Sequence, residues 1–426
     1  MAYSKRLETL LSKAGAEIGC RLSVRRGGAR FEGILMGHGD ANDPDAIVIK
    51  TAGGYNAGIM LGEGDSVEVL SPPAKTQARK KGTGKAKNGS PRVAVVGTGG
   101  TIAASVDAAS GALGPNRALE DLLDEVPGLR DDFEIVAEQP FAVFSEDMGP
   151  SRWTALAEAV VSAAAKDVAG VVVTHGTDTM GHSAAALSFM LRGIGKPIVL
   201  TGAQRSPDRP SSDAFGNILS AARYCATGKP GVYVLMRGGL NDDEYALFEG
   251  TRAKKMHTSR RDAFRAPNVG PFATMDDAGA IEYLRDALPV AKYEPRTRLE
   301  PAVALVKIYP GIGPAELSAL VSGKKGIVIE GTGMGHVPSA LIGTVADLVS
   351  SGVLVGIATQ CAGGSVNLNV YGTGRALQAA GAIPLSDTLP ETALVKMMWA
   401  LANCEDPAGA MRTPLAGECS DRRELV

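Results

Sequence analysis

At 426 residues the chain exceeds one ordinary core and fits two or three domains of roughly 150 residues each. Lysine plus arginine number 44 against 46 aspartate plus glutamate, so no global field drives the molecule onto nucleic acid or membrane, and any such contact must be local or made by a partner. Five scattered cysteines with no CxxC spacing exclude a zinc ribbon and a disulfide framework.

The start, Met1-Ala2-Tyr3-Ser4-Lys5-Arg6, has no apolar leader, and no apolar run approaches the roughly 20 residues that span a bilayer. A soluble, cytoplasmic protein with no membrane contact is expected. After a short helical start, residues 1–70 alternate apolar and polar positions in short runs broken by glycines. Arg21-Leu22-Ser23-Val24, a turn at Arg25-Arg26-Gly27-Gly28, and Phe31-Glu32-Gly33-Ile34-Leu35-Met36 read as strands joined tightly, and 46–50, 58–61 and 66–70 bring the set to about five. A closed SH3- or Sm-like all-β barrel is the economical way to remove their edges. From Ser71 to Arg92 the periodicity stops and seven Lys or Arg occur with no acid, which reads as a flexible basic linker over 71–91.

Beyond Arg92, apolar β-rich runs alternate with amphipathic helical segments, the pattern of parallel sheets covered on both faces. Strands are expected at 93–97, 170–174, 197–201 and 231–236. Helices are expected at 151–166, 182–192 and 212–227, the first and last opening on serine caps. A polar stretch over 267–298 separates this from a second alternation between 302 and 359. The expected fold is α/β: a barrel at 1–70, the linker, an α/β domain at 92–285 with the catalytic residues, and a second α/β domain at 300–426.

Open parallel sheets carry their chemistry in loops at the carboxyl ends of strands. Two loops qualify: Gly97-Thr98-Gly99-Gly100-Thr101-Ile102, and Thr174-His175-Gly176-Thr177-Asp178-Thr179. The first begins a GxGxxG pattern but has Ile102 in place of the third glycine, and it lacks the Gly-Lys-Ser/Thr of a phosphate-binding loop. A dinucleotide site and a merely tight turn are the alternatives to an exposed hydroxyl nucleophile, for which Gly99, Gly100 and Gly176 allow close substrate approach and supply N–H donors for an oxyanion. A threonine hydroxyl needs a neighbour to take its proton. Thr177, Asp178 and a lysine from Lys254-Lys255 can form that relay, and spacing alone does not separate the two lysines. Gly181-His182-Ser183 falls short of a nucleophile elbow because no strand precedes it, so Ser183 reads as an ordinary helix position. Cys361 reads as a small buried residue, with a thiol nucleophile as the alternative. The five histidines show no metal-ligand spacing.

Taken together, the two loops resemble the bacterial-type L-asparaginase and glutaminase family. Ser145-Glu146-Asp147-Met148 resembles its substrate-binding Ser-Gln-Asp-Met segment, and 201–207 with 212–217 resembles its next strand and loop; the likeness spans roughly residues 92–405. The resemblance implies Thr101 and Thr177 as the catalytic threonines, Asp178 as the catalytic aspartate and, by alignment of 263–268, Lys255 as the catalytic lysine. It implies substrate binding by Ser145, Glu146 and Asp178, with Glu146 standing where the family has glutamine. No metal is implied.

A barrel and tether ahead of such a body resemble the D-type subunit family of archaeal glutamyl-tRNA(Gln) amidotransferases. That likeness implies a glutaminase homodimer that assembles with the E-type amidotransferase subunit as a heterotetramer and passes it ammonia from glutamine. The partner would use ATP and Mg to amidate Glu-tRNA(Gln), which it would mainly bind; this chain would hold no cofactor itself. A free cytosolic asparaginase and a non-catalytic RNA-binding scaffold are the rival readings.

Overall fold

The structure is a computed structural model that describes residues 3–36, 43–51, 56–72, 89–100, 102, 105–106, 113–114, 118–207, 212–239, 244–289 and 291–420. Thr101 and most of the expected basic linker lie outside the described residues.

Helix α1 (Lys5–Ala14) opens on Ser4, whose hydroxyl accepts from Leu7 N–H, and ends on Gly15 in the left-handed region. Five antiparallel strands follow, β1 (Arg21–Arg26), β2 (Ala29–Leu35), β3 (Ala46–Lys50), β4 (Asn56–Met60) and β5 (Ser66–Ser71), in the order β4-β3-β2-β1-β5. Gly27 and Gly28, both at positive φ, form the two-residue turn that sets Arg26 opposite Ala29, the backbone hand that fits strand twist. Leu7, Leu11, Leu22, Val24, Leu35, Ile47, Ile49 and Ile59 form a core of their own. Among the described residues β4 and β5 share no ladder, so the order is that of an SH3-like meander whose last strand returns to its first without a closing pair.

The main body is built on an eight-stranded sheet. In chain order its strands are β6 (Arg92–Gly97), β7 (Glu134–Glu138), β8 (Gly170–Thr174), β9 (Pro197–Thr201), β10 (Gly231–Arg237), β11 (Glu244–Glu249), β12 (Ala273–Asp276) and β13 (Ile281–Tyr283). The spatial order is β13-β12-β11-β10-β9-β8-β6-β7. The five strands from β10 to β7 are parallel, and β11, β12 and β13 add an antiparallel flank. The mixed α/β class therefore stands, but the polar stretch expected to separate two domains contains β12 and β13. Their signal was short and bracketed by the Asp276–Gly279 turn, where the Asp276 carboxylate accepts from Ala280 N–H.

Both faces of the parallel strands are covered, which explains their unbroken apolar runs. Ala94, Val96, Val171, Val173, Ile198 and Leu200 enter one core with helices α2 (Pro150–Ala165) and α3 (Met180–Met190). Val93, Val95, Val172 and Val199 enter the other with Leu119–Asp124 and α4 (Ala214–Thr227). The serine caps expected for α2 and α4 are displaced: Gly149 and Asp213 occupy the cap positions, Pro150 opens α2, and the Asp213 carboxylate accepts instead from Gln204 and Arg205 N–H.

The last lobe carries a parallel four-stranded sheet of β14 (Val303–Lys307), β15 (Gly326–Gly331), β16 (Leu354–Thr359) and β17 (Ile383–Pro384) in that order. Helix α5 (Pro390–Asn403) packs against α3, and Val328, Ala358, Ala393 and Met397 share one core with the first lobe. Covered on one side by the sheet and on the other by α5, α3 is apolar all round rather than amphipathic.

Candidate active site

Strands β6 and β8 are neighbours with Gly97 opposite Thr174, so the two loops singled out by sequence leave the sheet level with one another. Thr98 N–H and Oγ1 both donate to Thr174 O at 3.0 Å, and His175 N–H donates to Thr201 O at 2.8 Å, tying the loops to three consecutive strands. Gly99 bridges Val143, and Gly100 N–H donates to Val143 O at 2.8 Å. The Gly100 N–H is thus spent on the turn. Gly99 and Gly100 take φ of 96° and 76°, a region an L side chain rarely adopts.

Gly176 is pressed against Ser145: a Cβ built on Gly176 would lie 2.7 Å from Ser145 Cβ. Ser145 is buried in a single 3-10 turn, Ser145–Asp147, and its carbonyl accepts from Thr179 Oγ1 at 2.6 Å, so the third loop is stapled to the second. Glu146 on the same turn is exposed.

Of the two adjacent lysines, Lys255 reaches the second loop. Its Nζ lies 2.9 Å from Thr177 Oγ1 and 2.7 Å from Asp178 Oδ1. Thr177 is buried, the Lys255 side chain is 13% exposed and that of Asp178 67%. The acid of the pair therefore faces solvent while the ammonium is sheltered. A threonine hydroxyl that accepts from Lys255 must direct its own hydrogen elsewhere, which leaves Thr177 able to donate toward whatever occupies the mouth of the loops. Lys254 turns away and pairs with Glu391 at 2.5 Å.

Beneath the second loop lies a buried chain of donors. Trp153 Nε1 donates to Ser183 Oγ at 2.9 Å, Ser183 Oγ stands 2.8 Å from His175 Nε2, and His175 Nδ1 stands 2.6 Å from Gly176 O. A carbonyl can only accept, so Nδ1 carries the proton and Nε2 accepts from the Ser183 hydroxyl. Burial lowers the His175 pKa to about 4, in keeping with that neutral tautomer. Ser183 is thus more than an ordinary helix position: it orients the histidine that fixes Gly176. The sequence showed both residues but not their contact.

Cys361, expected to be buried, is exposed in the loop after β16, its N–H held by the Thr359 hydroxyl. Residues 361–364 are all exposed, and Asn268 clamps Gly364 from both sides through its side-chain amide. Among the described residues no group of three or more His, Cys, Asp or Glu is placed to hold a metal ion, and no helix is long and apolar enough to cross a membrane.

Family models agree with this layout. Residues 92–289 match the asparaginase N-terminal domain, 302–412 the glutaminase/asparaginase C-terminal domain and 16–70 the GatD N-terminal domain. The chain is 44% identical to the D-type subunit of the glutamyl-tRNA(Gln) amidotransferase of Pyrococcus furiosus, with 97% of each covered. It is 45% identical to that of Pyrococcus abyssi over 91% of this chain and 90% of the relative. Among solved structures, the thermostable L-asparaginase from Thermococcus kodakarensis superposes with a TM-score of 0.71 at 31% identity, covering 78% of this chain and all of that one. With its barrel, its two asparaginase-type domains and relatives of this identity along its whole length, the chain belongs to the D-type subunit family of glutamyl-tRNA(Gln) amidotransferases.

Proposed function

We propose that this chain is the glutaminase component of a tRNA-dependent amidotransferase, with Thr101 as nucleophile and Thr177, Asp178 and Lys255 as its proton relay. The observation that carries the reading is the Lys255 ammonium within hydrogen-bond reach of both Thr177 and Asp178, on a loop that faces the glycine turn leading into Thr101.

Thr101 Oγ attacks the glutamine δ-carbonyl carbon, and the tetrahedral adduct collapses with loss of ammonia, leaving an ester to Thr101. N–H groups of the loops other than that of Gly100 steady the oxyanion. The Thr177–Lys255–Asp178 relay carries the protons, and water then releases glutamate and restores the Thr101 hydroxyl. Ser145 and Asp178 hold the α-carboxylate and α-amine of the amino acid, with Glu146 beside Ser145 on the same 3-10 turn.

The ammonia serves a second, E-type subunit, which uses ATP and Mg to activate the misacylated glutamate on Glu-tRNA(Gln) and binds most of the tRNA. This chain works in the cytoplasm as a homodimer within that complex and holds no cofactor of its own. The test is ammonia release from glutamine by the chain purified with such a partner, with and without Glu-tRNA(Gln). A rise on adding the charged tRNA supports the reading. Asparagine turnover that ignores partner and tRNA would point to a free asparaginase, and no turnover under any condition to a scaffold.

A further inference from the structure

Lys255 sits in a strand two residues long, Lys254–Lys255, paired with Phe264–Arg265. So short a ladder fixes little by itself, since an isolated hairpin is marginal in water. Turn bonds from Arg252 and Ala253 N–H to Glu249 O and from Met256 N–H to Ala263 O help, and the other lobe adds side-chain ties. Thr251 O accepts from Thr392 Oγ1 at 2.8 Å, and Thr251 Oγ1 donates to Ala416 O at 2.9 Å. Arg252 pairs with Asp387 at 2.8 Å, both nearly inaccessible, and its Nε donates to Gly417 O at 2.6 Å. Lys254 pairs with Glu391 in the first turn of α5.

Successive side chains of a strand leave on opposite faces. A clamp on Lys254 therefore sets the direction in which Lys255 departs. We infer that Lys254 and Glu391 are positioning residues for Lys255: their ion pair ties the strand that carries Lys255 to α5 and thereby aims the Lys255 ammonium at Thr177 and Asp178. This rests on Lys255 belonging to the relay proposed above. Burial works against charge on Glu391, but the Lys254 charge and hydrogen bond outweigh it and hold the carboxyl below its ordinary pKa, which keeps the carboxylate charged. The second Glu391 oxygen has no hydrogen-bond partner among the described residues, so Lys254 is the principal tie at this end. Across the whole site, the first lobe supplies Thr177, Asp178 and Lys255, and the last lobe supplies the anchor that keeps the third in range of the other two.

The test uses the full-length chain with its E-type partner and reads glutamine turnover and thermal unfolding for Lys254→Met, Glu391→Gln, the double variant, Lys254→Arg, and the charge exchange Lys254→Glu with Glu391→Lys. Expected are a fall in kcat of about tenfold or more for each single truncation with KM for glutamine within about twofold, a double variant no worse than the worse single, and recovery of most of kcat by Lys254→Arg or by the exchange. Wild-type kcat in the truncations overturns the inference. So does a kcat loss that matches the loss of folded protein, or a rise in KM alone. Lys255→Met is assayed alongside: if it turns over normally, the relay assignment itself fails, a different result from a silent Glu391→Gln beside an inactive Lys255→Met.

Discussion

Gly100 and Gly176 meet backbone to backbone: a Cβ placed on Gly100 would lie 2.4 Å from the Cα of Gly176. Two loops from adjacent strands touch without a side chain between them, so Gly100 cannot be replaced without parting them, and Gly176 is closed in on its other side by Ser145. Gly176→Ala meets Ser145 at 2.7 Å and must push the third loop out, while Gly100→Ala also strains a φ of 76°. Each is expected to cut kcat by about 100-fold, the cost of moving reacting groups by roughly 1 Å. Steady-state kinetics beside a melting curve checks this; full activity in either alanine variant refutes the close-approach argument.

The relay and the fold should separate cleanly at Asp178. Its ion pair with Lys255 is two-thirds exposed on the acid side, so it contributes at most about 1 kcal/mol to stability. Asp178→Asn is expected to leave the unfolding midpoint nearly unchanged while glutaminase activity collapses. Thr177→Val and Lys255→Met are expected to lower kcat by about 10² to 10⁴, and their combination to be no worse than the worse single, because residues of one relay fail as a unit. Additive losses would mean that the two side chains act independently.

The tail should behave as a latch. Lys396 and Glu418 are both buried, their charges 2.5 Å apart, and the Glu418 carboxylate also accepts from Leu415 and Ala416 N–H. Removing one partner, as in Glu418→Ala, leaves a buried ammonium with only the Met411 and Thr413 carbonyls and no counter-charge and is expected to cost about 3 to 5 kcal/mol, whereas replacing both by apolar residues removes the uncompensated charge and is expected to cost less. Urea unfolding of the two variants makes the comparison. Equal destabilisation by both would show that the pair itself, and not the stranded charge, carries the energy.

What the sequence revealed and what it hid divide along one line. Four of the five parallel strands of the main sheet and both loops were legible because each rests on a contiguous signal, an unbroken apolar run such as Val171-Val172-Val173 going straight into small and hydroxyl residues, whereas the half-buried edge strand Glu134–Glu138 carries no such run. The antiparallel flank at Ala273–Asp276 and Ile281–Tyr283 was not, because strands of three or four residues beside a polar turn carry no period to count. Contacts between distant residues were equally out of reach. Nothing in the spacing of Arg252, Lys254, Asp387 and Glu391 says that they meet, and the choice between Lys254 and Lys255 is visible in space as two opposite directions from one short strand. Ser151 failed as a cap because Pro150 starts its helix one residue early, and on α4 Asp213 takes the cap position while the Ser212 hydroxyl still accepts from Ala214 N–H.

His175 makes stability depend on pH. Burial holds it neutral in the folded chain, with a pKa lowered from 6.5 to about 4, and it already spends both ring nitrogens on Gly176 O and Ser183. Between pH 6.5 and 4 the unfolded chain therefore binds a proton that the folded chain refuses, so unfolding is favoured as pH falls through that window and the contribution is fully present only above it. At about 1.4 kcal/mol per pH unit the span amounts to roughly 3 kcal/mol. His182, whose pKa is also lowered by burial, adds a loss of the same sign that remains when His175 is changed. Replacing His175 by glutamine, which cannot titrate, is expected to destabilise the chain at pH 8 through the lost Gly176 and Ser183 contacts. It should also flatten the decline of stability between pH 6.5 and 4 by roughly the amount given. The comparison is of slopes, from urea unfolding at half-unit steps, and carboxylate titrations common to both chains cancel. A variant whose stability declines as steeply as that of the native chain would mean that His175 takes up its proton in the fold as readily as in water, and that the neutral chain from Trp153 through Ser183 to Gly176 does not form.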